Sequence, residues 1–228
     1  MSGILYCVAV PIGNPGDITS RAVDTLRMVD IIACENTNKL KDLLKRAGIE
    51  TQARFLAYYS YNEQESAKGL LAKLLEGQSI ALVTAAGTPR ISDPGYHLVR
   101  GAYENDIRVT PVPGPAAFAT AMSIAPIPVD PFLFLGFISP KPGKRDNTLA
   151  KYDNFEGTVC FYESIHRIQK LLMAILAKWG DLECFIAREL TKQHENLFWG
   201  SLSEAIDWVS QKKGEFVLLV HKKDSINQ

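Results

Sequence analysis

The stretch SIALVTAAGTPRISDPG, from Ser79 to Gly95, decides the fold. It begins with SIALV, which has the composition of a short buried strand, and continues for twelve residues rich in Gly, Pro, Ser and Thr. A loop in this place lies outside the carboxyl end of its strand, where open α/β sheets bind their ligands. The stretch therefore predicts an α/β fold with a ligand-binding loop at one edge of the sheet.

The residues around this stretch alternate between strand and helix patterns. Further strand-like runs occupy residues 4–10, 31–34, 54–59 and 108–112. The segments between them carry apolar residues at helical spacing, most regularly between residues 67 and 75. The run ILYCVAV is continuously apolar, as expected for a parallel strand that is buried on both faces. This half of the chain predicts a doubly wound α/β domain.

The pattern changes at the Pro-rich segment that begins near residue 113. Strand-like runs follow at residues 132–137, 158–163, 184–190 and 214–220, and SPKPGKRD is expected to be a polar, basic loop. Strands that lie close together in sequence predict a mixed sheet. We therefore predict two α/β domains that meet near residue 113. Residues 1–112 would form a mostly parallel doubly wound sheet, and residues 113–228 a mixed sheet.

Composition excludes several classes of protein. Lys plus Arg and Asp plus Glu each number 25, so the net charge of zero argues against a nucleic-acid binder that is basic over its whole surface, although a local basic patch remains compatible with it. The four cysteines are scattered, which predicts neither a metal site nor a required disulfide. Because the sequence shows no membrane span and no signal peptide, we expect a cytoplasmic protein that makes no use of a membrane.

Three Gly- and Pro-rich loops follow predicted strands, at Pro11–Asp17, Thr84–Gly95 and Pro113–Ala117. One such loop alone is ordinary turn chemistry, but three at the carboxyl ends of strands predict a ligand site. Gly13 and Gly16 do not form Gly-x-Gly-x-x-Gly, which argues against a Rossmann dinucleotide site. The chain also lacks a P-loop and a Gly-x-Ser-x-Gly motif, so nucleotide hydrolysis and serine-hydrolase chemistry are not favoured.

Taken in order, the motifs LYCVAVPIGNPGDIT, ENT, ALVTAAGTPRISDPG, VTPVPGPAA, FYESIHR and ARELTKQHE make the chain resemble the tetrapyrrole methylase superfamily. The resemblance runs from about Leu5 to about Val220 and is greatest to the branch of small-subunit ribosomal RNA cytidine 2′-O-methyltransferases. It implies an enzyme that uses S-adenosylmethionine (AdoMet), acts on ribosomal RNA in the small ribosomal subunit, and is usually a homodimer. It also implies two α/β domains with the active-site cleft between them, the second domain completing the AdoMet site.

The resemblance implies that backbone atoms hold most of the cofactor. The residues that it assigns to AdoMet are Pro11, Ala85, Ala86, Gly87, Thr88, Ile91, Ala116, Ala117, Tyr162 and Ala187. Tyr162 and Ala187 would flank the adenine. Backbone carbonyls suit a positive sulfonium, and amides at helix N-termini suit a carboxylate, so a backbone grip fits this cofactor.

Methyl transfer to a hydroxyl is an in-line displacement, so positioning supplies much of the catalysis, and a base or a cation helps the hydroxyl to lose its proton. The candidates for this step are Glu163, Glu189 and Lys192, with Glu35 and Asp93 as further carboxylates. Glu163 and Glu189 are equally compatible with structural ion pairs to Arg167 or Arg188. Both interpretations stay open on the sequence alone.

Contacts to RNA need only a few basic groups. The candidates for substrate binding are Arg90, Lys141, Lys144 and Arg145. Tyr58, Tyr59 and Tyr61 are candidates for stacking on a splayed-out base, although Tyr58 and Tyr59 also suit an ordinary strand.

The chain departs from the family pattern at polar positions. The family usually reads EDTR where this chain has Glu35-Asn36-Thr37-Asn38, and SDAGTPGISDPG where Ala85 replaces the acid and Arg90 replaces a glycine. Where the family has a histidine-containing segment, this chain has Tyr59-Ser60-Tyr61. Two alternatives therefore accompany methylation of ribosomal RNA. One is methylation of a tetrapyrrole or a modified protein side chain, and the other is a degenerate, non-catalytic protein that binds AdoMet or RNA.

Overall fold

The computed structural model describes residues 2–210 and 212–222, which form two compact units, one ending at Ala116 and the other beginning at Ala117. The first unit contains five parallel strands in the order β3-β2-β4-β1-β5. The strands are β1 (Leu5–Val8), β2 (Ile31–Cys34), β3 (Arg54–Ala57), β4 (Ile80–Val83) and β5 (Val109–Val112). The predicted doubly wound parallel sheet is confirmed.

Helices cover both faces of this sheet. They are α1 (Ser20–Met28), α2 (Thr37–Arg46), α3 (Glu63–Leu75) and α4 (Tyr96–Glu104), with short 3-10 turns at Pro15–Asp17 and Ser60–Asn62. One buried cluster lies under α1 and α2, and a second lies under α3 and α4. Burial on both faces explains the continuous apolar runs in β2 and β4, all of whose residues are buried.

The second unit contains a mixed sheet in the order β6-β7-β10-β8-β9, in which only β6 and β7 are parallel. Its elements are α5 (Ala117–Ile124), β6 (Phe132–Gly136), α6 (Pro142–Ala150), β7 (Gly157–Ser164), α7 (Ile165–Trp179), β8 (Glu183–Arg188), β9 (Asn196–Ser201), α8 (Leu202–Val209) and β10 (Glu215–Lys222). The core of this unit lies between one face of the sheet and α6, α7 and α8. The predicted mixed sheet is confirmed.

One expectation for the second unit was wrong, and one strand was not predicted. The basic segment SPKPGKRD is not a loop, because its second half begins α6 with Pro142 in the first turn, where the fixed φ of proline suits a helix, and Leu149 anchors that helix in the core. The edge strand β9 was not predicted. Its exposed Leu197 and Trp199 hide the buried–exposed alternation on which strand prediction depends.

The environments of the four cysteines disfavour their thiolate forms. Cys34, Cys160 and Cys184 are buried and Cys7 is half-buried. Burial raises the pKa of each thiol, to about 11 for Cys34 and about 12 for Cys184. Within the described part of the chain, no helix combines the length and the apolar character needed to cross a membrane.

Candidate active site

Three neighbouring strands bring the predicted loops together. β4, β1 and β5 lie side by side, and their last residues, Val83, Val8 and Val112, share one row of the register. The loops that follow them therefore start from the same edge of the sheet. The connections that leave β4 and β1 run in opposite directions along the sheet, and open α/β sheets bind their ligands at such a position.

Hydrogen bonds join these loops to one another. The backbones of Val10 and Gly87 exchange two hydrogen bonds, of 2.9 and 3.0 Å, and the hydroxyl of Thr88 donates to the carbonyl oxygen of Pro115 at 3.0 Å. Gly87 has a φ of +78°, and a Cβ atom there would lie 3.3 Å from Ile12 Cγ2, so the position favours glycine. The three loops thus form one connected surface, which we call the loop surface.

The loop surface carries most of the residues that the resemblance assigns to the cofactor in the first unit. They are Pro11, Ala85, Ala86, Gly87, Thr88 and Ala116. Ala86 is exposed and Ala85 is half-buried, so this turn is open to a ligand. Ile91 follows in a turn, where its N–H donates to the carbonyl of Thr88 at 3.3 Å, and Ala117 is the first residue of α5.

Thr84 and Asp93 close the longest of these loops. The hydroxyl of Thr84 donates to Asp93 Oδ1 at 2.7 Å. Burial raises the pKa of Asp93, the hydrogen bond from Thr84 opposes this effect, and the negative charge of Glu35 adds to it, so the pKa is raised overall. A carboxylate with a raised pKa is the stronger proton acceptor, which favours Asp93 among the groups of this unit that could take a proton.

Arg90 lies on the same loop in a left-handed backbone conformation, with a φ of +70°. Its side chain lies along Gly95, because a Cβ atom on that glycine would be 2.7 Å from Arg90 Cγ. The guanidinium is near enough to Cys7 for its charge to oppose the effect of burial on the pKa of that thiol. The aliphatic part of Arg90 is therefore used in packing within the first unit.

Glu63 connects this loop to the segment after β3, a role that no sequence signal predicts. Its Oε1 atom accepts hydrogen bonds from the N–H groups of Gly95 and His97, both at 3.0 Å, and from the Tyr58 hydroxyl at 3.2 Å. Burial alone would raise the pKa of Glu63, but these hydrogen bonds outweigh it and the pKa is lowered. The carboxylate stays charged at the N-terminus of α4, where the helix dipole stabilises it.

Asn36, one of the departures from the family pattern, has a structural role in the first unit. Its side chain accepts a hydrogen bond from the N–H of Lys39 at 3.0 Å and caps α2. Asn and Asp are about equally good at this position, so an asparagine here leaves the helix start intact.

In the second unit, Tyr162 and Ala187 lie in one row of the sheet, separated by Val217 of β10. Residues paired across neighbouring strands point to the same face, so all three side chains lie on the face opposite the α6–α8 core. The Tyr162 hydroxyl accepts a hydrogen bond from the N–H of Phe118 at 2.9 Å. No sequence motif singles out Val217. Its position between Tyr162 and Ala187 follows only from the register of β10.

Glu189 and Lys192 belong to one network with Glu215. Lys192 Nζ donates to Glu189 Oε1 at 3.0 Å and to Glu215 Oε2 at 2.8 Å, and Glu189 Oε1 also accepts from the N–H of Glu215 at 2.8 Å. Burial lowers the pKa of Lys192, but the two carboxylates reverse this and the pKa is raised overall. Lys192 is therefore a cation at neutral pH and not a proton acceptor.

Glu163 is only 3% exposed and forms an ion pair with Arg167, which was one of the two roles considered for it. Its Oε2 atom accepts from Arg167 Nε and from the N–H of Ser164, both at 2.8 Å. Arg188 does not hydrogen-bond to Glu189 but donates to the carbonyl oxygens of Lys213 and His194, at 2.6 and 2.9 Å. The network around Glu189 thus depends on Lys192.

The basic residues of α6 lie in and next to its first turn. Lys141 and Lys144 are exposed, and Arg145 is half-buried with its Nε 3.4 Å from Asp146. The first turn of this helix holds no acidic residue. Among residues 2–210 and 212–222, no group of His, Cys, Asp and Glu is arranged to hold a metal ion.

Comparison with known proteins agrees with this geometry. The sequence profile of the Tetrapyrrole (Corrin/Porphyrin) Methylases matches residues 4–206. The chain is 47% identical over 223 residues to the Ribosomal RNA small subunit methyltransferase I of Escherichia coli O157:H7, covering 96% of this chain and 77% of that protein. It is 41% identical over 226 residues to the protein of the same name from Leptospira biflexa, covering 98% of this chain and 93% of the relative.

The fold also matches that of solved structures. The uroporphyrin-III C-methyl transferase from Thermus thermophilus, complexed with S-adenyl homocysteine, aligns with a TM-score of 0.70 at 15% identity, over 95% of this chain and 97% of that one. An identity this low shows a common fold, whereas the profile match and the closer relatives show common family. The chain therefore belongs to the Tetrapyrrole (Corrin/Porphyrin) Methylases family.

Proposed function

We propose that this protein is an AdoMet-dependent methyltransferase that acts on small-subunit ribosomal RNA, at the 2′-hydroxyl of a cytidine. The observation that carries the proposal is identity of 41–47% over nearly the whole chain to proteins named ribosomal RNA small subunit methyltransferase I. We propose further that the protein works in the cytoplasm as a homodimer, as the resemblance implies.

The residues of the loop surface fit the cofactor. The turn of Ala85 and Ala86 offers accessible backbone groups, and Gly87 and Thr88 hold that turn against the other two loops. In the second unit, the Tyr162 ring and the small Ala187 side chain suit contact with a flat purine. When bound, AdoMet supplies an electrophilic methyl group on a positive sulfonium, and loss of that methyl group leaves S-adenosylhomocysteine.

Lys192 is the residue that we propose assists the ribose oxygen. An ammonium has three N–H donors, and the side chains of Glu189 and Glu215 take two of them. The remaining donor and the positive charge suit an oxygen that becomes negative as its proton leaves to a carboxylate or to water. Glu189 acts as a positioning residue, because its carboxylate holds both Lys192 and the N–H of Glu215. Glu163 remains a candidate whose Oε2 atom is shared with Arg167.

Lys141, Lys144 and Arg145 are proposed to contact RNA phosphates. Basic residues at the start of a helix are electrostatically unfavourable, because the N-terminus carries partial positive charge. A bound phosphate would relieve this repulsion and accept hydrogen bonds from the first turn of α6.

The test is methyl transfer from AdoMet with a radioactive methyl group to unmethylated small ribosomal subunits, followed by mapping of the labelled nucleotide. We expect label on one cytidine ribose. Lys192→Met should lower turnover at least about tenfold while AdoMet affinity, measured by calorimetry, is unchanged. Label on a protein, on a free tetrapyrrole or on a base would contradict the proposed substrate, and AdoMet binding without any transfer would support the non-catalytic alternative.

A further inference from the structure

Two tyrosines after β3 form an exposed aromatic pair. The rings of Tyr59 and Tyr61 are stacked, with their centroids 5.1 Å apart and their planes at 16°. Tyr59 is half-buried, whereas Tyr61 is 82% exposed. Tyrosine combines an apolar ring with a polar hydroxyl, so a ring this exposed is available for stacking contacts. The pair has the form of a platform with one ring held in place and the next ring open to a further flat group.

This aromatic pair lies at the same edge of the sheet as the loop surface. It follows β3, and the parallel order β3-β2-β4 directs the carboxyl ends of these strands to one edge. Glu63 fixes the two regions to each other, since it accepts hydrogen bonds from Tyr58, next to the pair, and from the N–H of Gly95, at the end of the cofactor loop. Both regions belong to the first unit.

A surface cavity of about 400 Å³ opens beside Tyr61. The cavity is open to solvent and mostly polar, so it suits contact with one face or edge of a larger molecule and not enclosure of a small one. Asn62, Gln64 and His97 are among the residues that line it. Amide and imidazole groups both donate and accept hydrogen bonds, as the edge of a nucleobase does.

The charges around the cavity suit a neutral ligand. Glu63 already accepts three hydrogen bonds from Tyr58, Gly95 and His97. Glu65 pairs with Lys68 at 3.2 Å, so the lysine is not an isolated positive charge. With two carboxylates at its rim, the cavity disfavours a phosphate and favours an uncharged flat group.

We propose that Tyr61, supported by Tyr59, stacks on an unpaired nucleobase of the RNA substrate, and that Asn62 and Gln64 contact the edge of that base. The inference rests on the proposed ribosomal RNA substrate and adds a residue that selects single-stranded RNA. Stacking on an aromatic side chain is available only to a base that has left its duplex, so the aromatic pair distinguishes unpaired from paired RNA.

The test uses a single-stranded RNA oligonucleotide that carries the fluorescent base 2-aminopurine, and the same strand annealed to its complement. Tyr61→Ala should weaken binding of the single strand about tenfold and remove the quenching of 2-aminopurine, and Tyr61→Trp should restore both. Tyr103→Ala is the matched control, because Tyr103 is 68% exposed on α4 and outside the cavity. Duplex binding and AdoMet affinity should be the same in all variants.

The inference is overturned if Tyr61→Ala binds the single strand like the wild type, if it weakens single strand and duplex equally, or if only binding to intact subunits is lost, which would indicate contact with a ribosomal protein. The two proposals can fail separately. Tyr61-dependent binding without methyl transfer would contradict the proposed function alone, and methyl transfer with no dependence on Tyr61 would contradict the stacking alone.

Discussion

Arg90 has a left-handed backbone conformation, which glycine adopts more easily than other residues. A φ of +70° costs an ordinary L-residue about 1 kcal/mol, and the family pattern has glycine at this position. The flanking residues hold Arg90 in this conformation, and its aliphatic part packs along Gly95. An arginine at this position therefore covers Gly95 with a side chain.

The left-handed backbone at this position leads to a prediction for two variants of Arg90. Arg90→Ala and Arg90→Gly both remove the guanidinium and the packing on Gly95, but only glycine relieves the left-handed strain. We expect Arg90→Gly to exceed Arg90→Ala in free energy of unfolding by about 1 kcal/mol, measured by urea denaturation. Arg100, which is exposed within α4, is the control. There, Arg100→Ala should be more stable than Arg100→Gly by a similar amount. Equal stability of the two Arg90 variants would contradict a strained backbone at this residue.

Two helical glycines differ in what surrounds them where α3 packs against α4. A Cβ atom on Gly101 of α4 would clash with Leu71 Cδ1 on α3, whereas a Cβ on Gly69 of α3 would meet nothing within 4 Å. A methyl group at residue 101 would therefore displace the Leu71 side chain, and one at residue 69 would displace nothing.

We expect the same substitution to have opposite effects at these two positions. Gly69→Ala should stabilise the protein by about 0.5–1 kcal/mol through helix propensity alone. Gly101→Ala should destabilise it by about 1–3 kcal/mol, because the added methyl overpacks the contact with Leu71. Thermal unfolding of both variants checks the pair, and a loss of stability in Gly69→Ala or a gain in Gly101→Ala would show that propensity and packing have been assigned to the wrong positions.

The elements that sequence patterns predicted are those whose burial is uniform or periodic. β2 and β4 are buried on both faces and α3 has a regular apolar face, so each carries its own signal. α6 was missed because its first turn contains proline, glycine and two cations, and β9 because its exposed Leu197 and Trp199 hide the alternation. β9 is stabilised by pairing with β8, and α6 by the burial of Leu149 in the core, and neither contact is visible in the element's own pattern.

At the scale of the whole molecule, each unit has its own core, and the loops that carry chemistry follow the strands of those cores. Spacing and turn composition predicted the three loops of the first unit. They did not predict Glu63 or Val217, whose places depend on a long-range hydrogen bond and on strand register. The part of the site built from local turns was thus accessible from the sequence, and the part built from tertiary contacts was not.

Binding of the cofactor product should be visible in the stability of the whole molecule. A ligand that binds only the folded protein stabilises it by about 2.7 kcal/mol at a concentration of 100 times its Kd. We therefore expect S-adenosylhomocysteine to raise the Tm by several degrees in calorimetric scans. Ala86→Leu should leave the Tm of the free protein nearly unchanged, because Ala86 is exposed, and should abolish the shift. An equal shift in this variant would exclude the turn of Ala85 and Ala86 from the cofactor site.

The burial of three cysteines, and the raised pKa of all four, make the protein convenient for site-specific labelling. Maleimides and related reagents react with the thiolate. Burial shields Cys34, Cys160 and Cys184 and raises the pKa of all four thiols. A cysteine introduced in place of the exposed Tyr103 would have an ordinary pKa and open access, so it would be the fastest-reacting thiol of the chain at neutral pH. A fluorophore or spin label could then report on ligand binding without prior removal of any native cysteine.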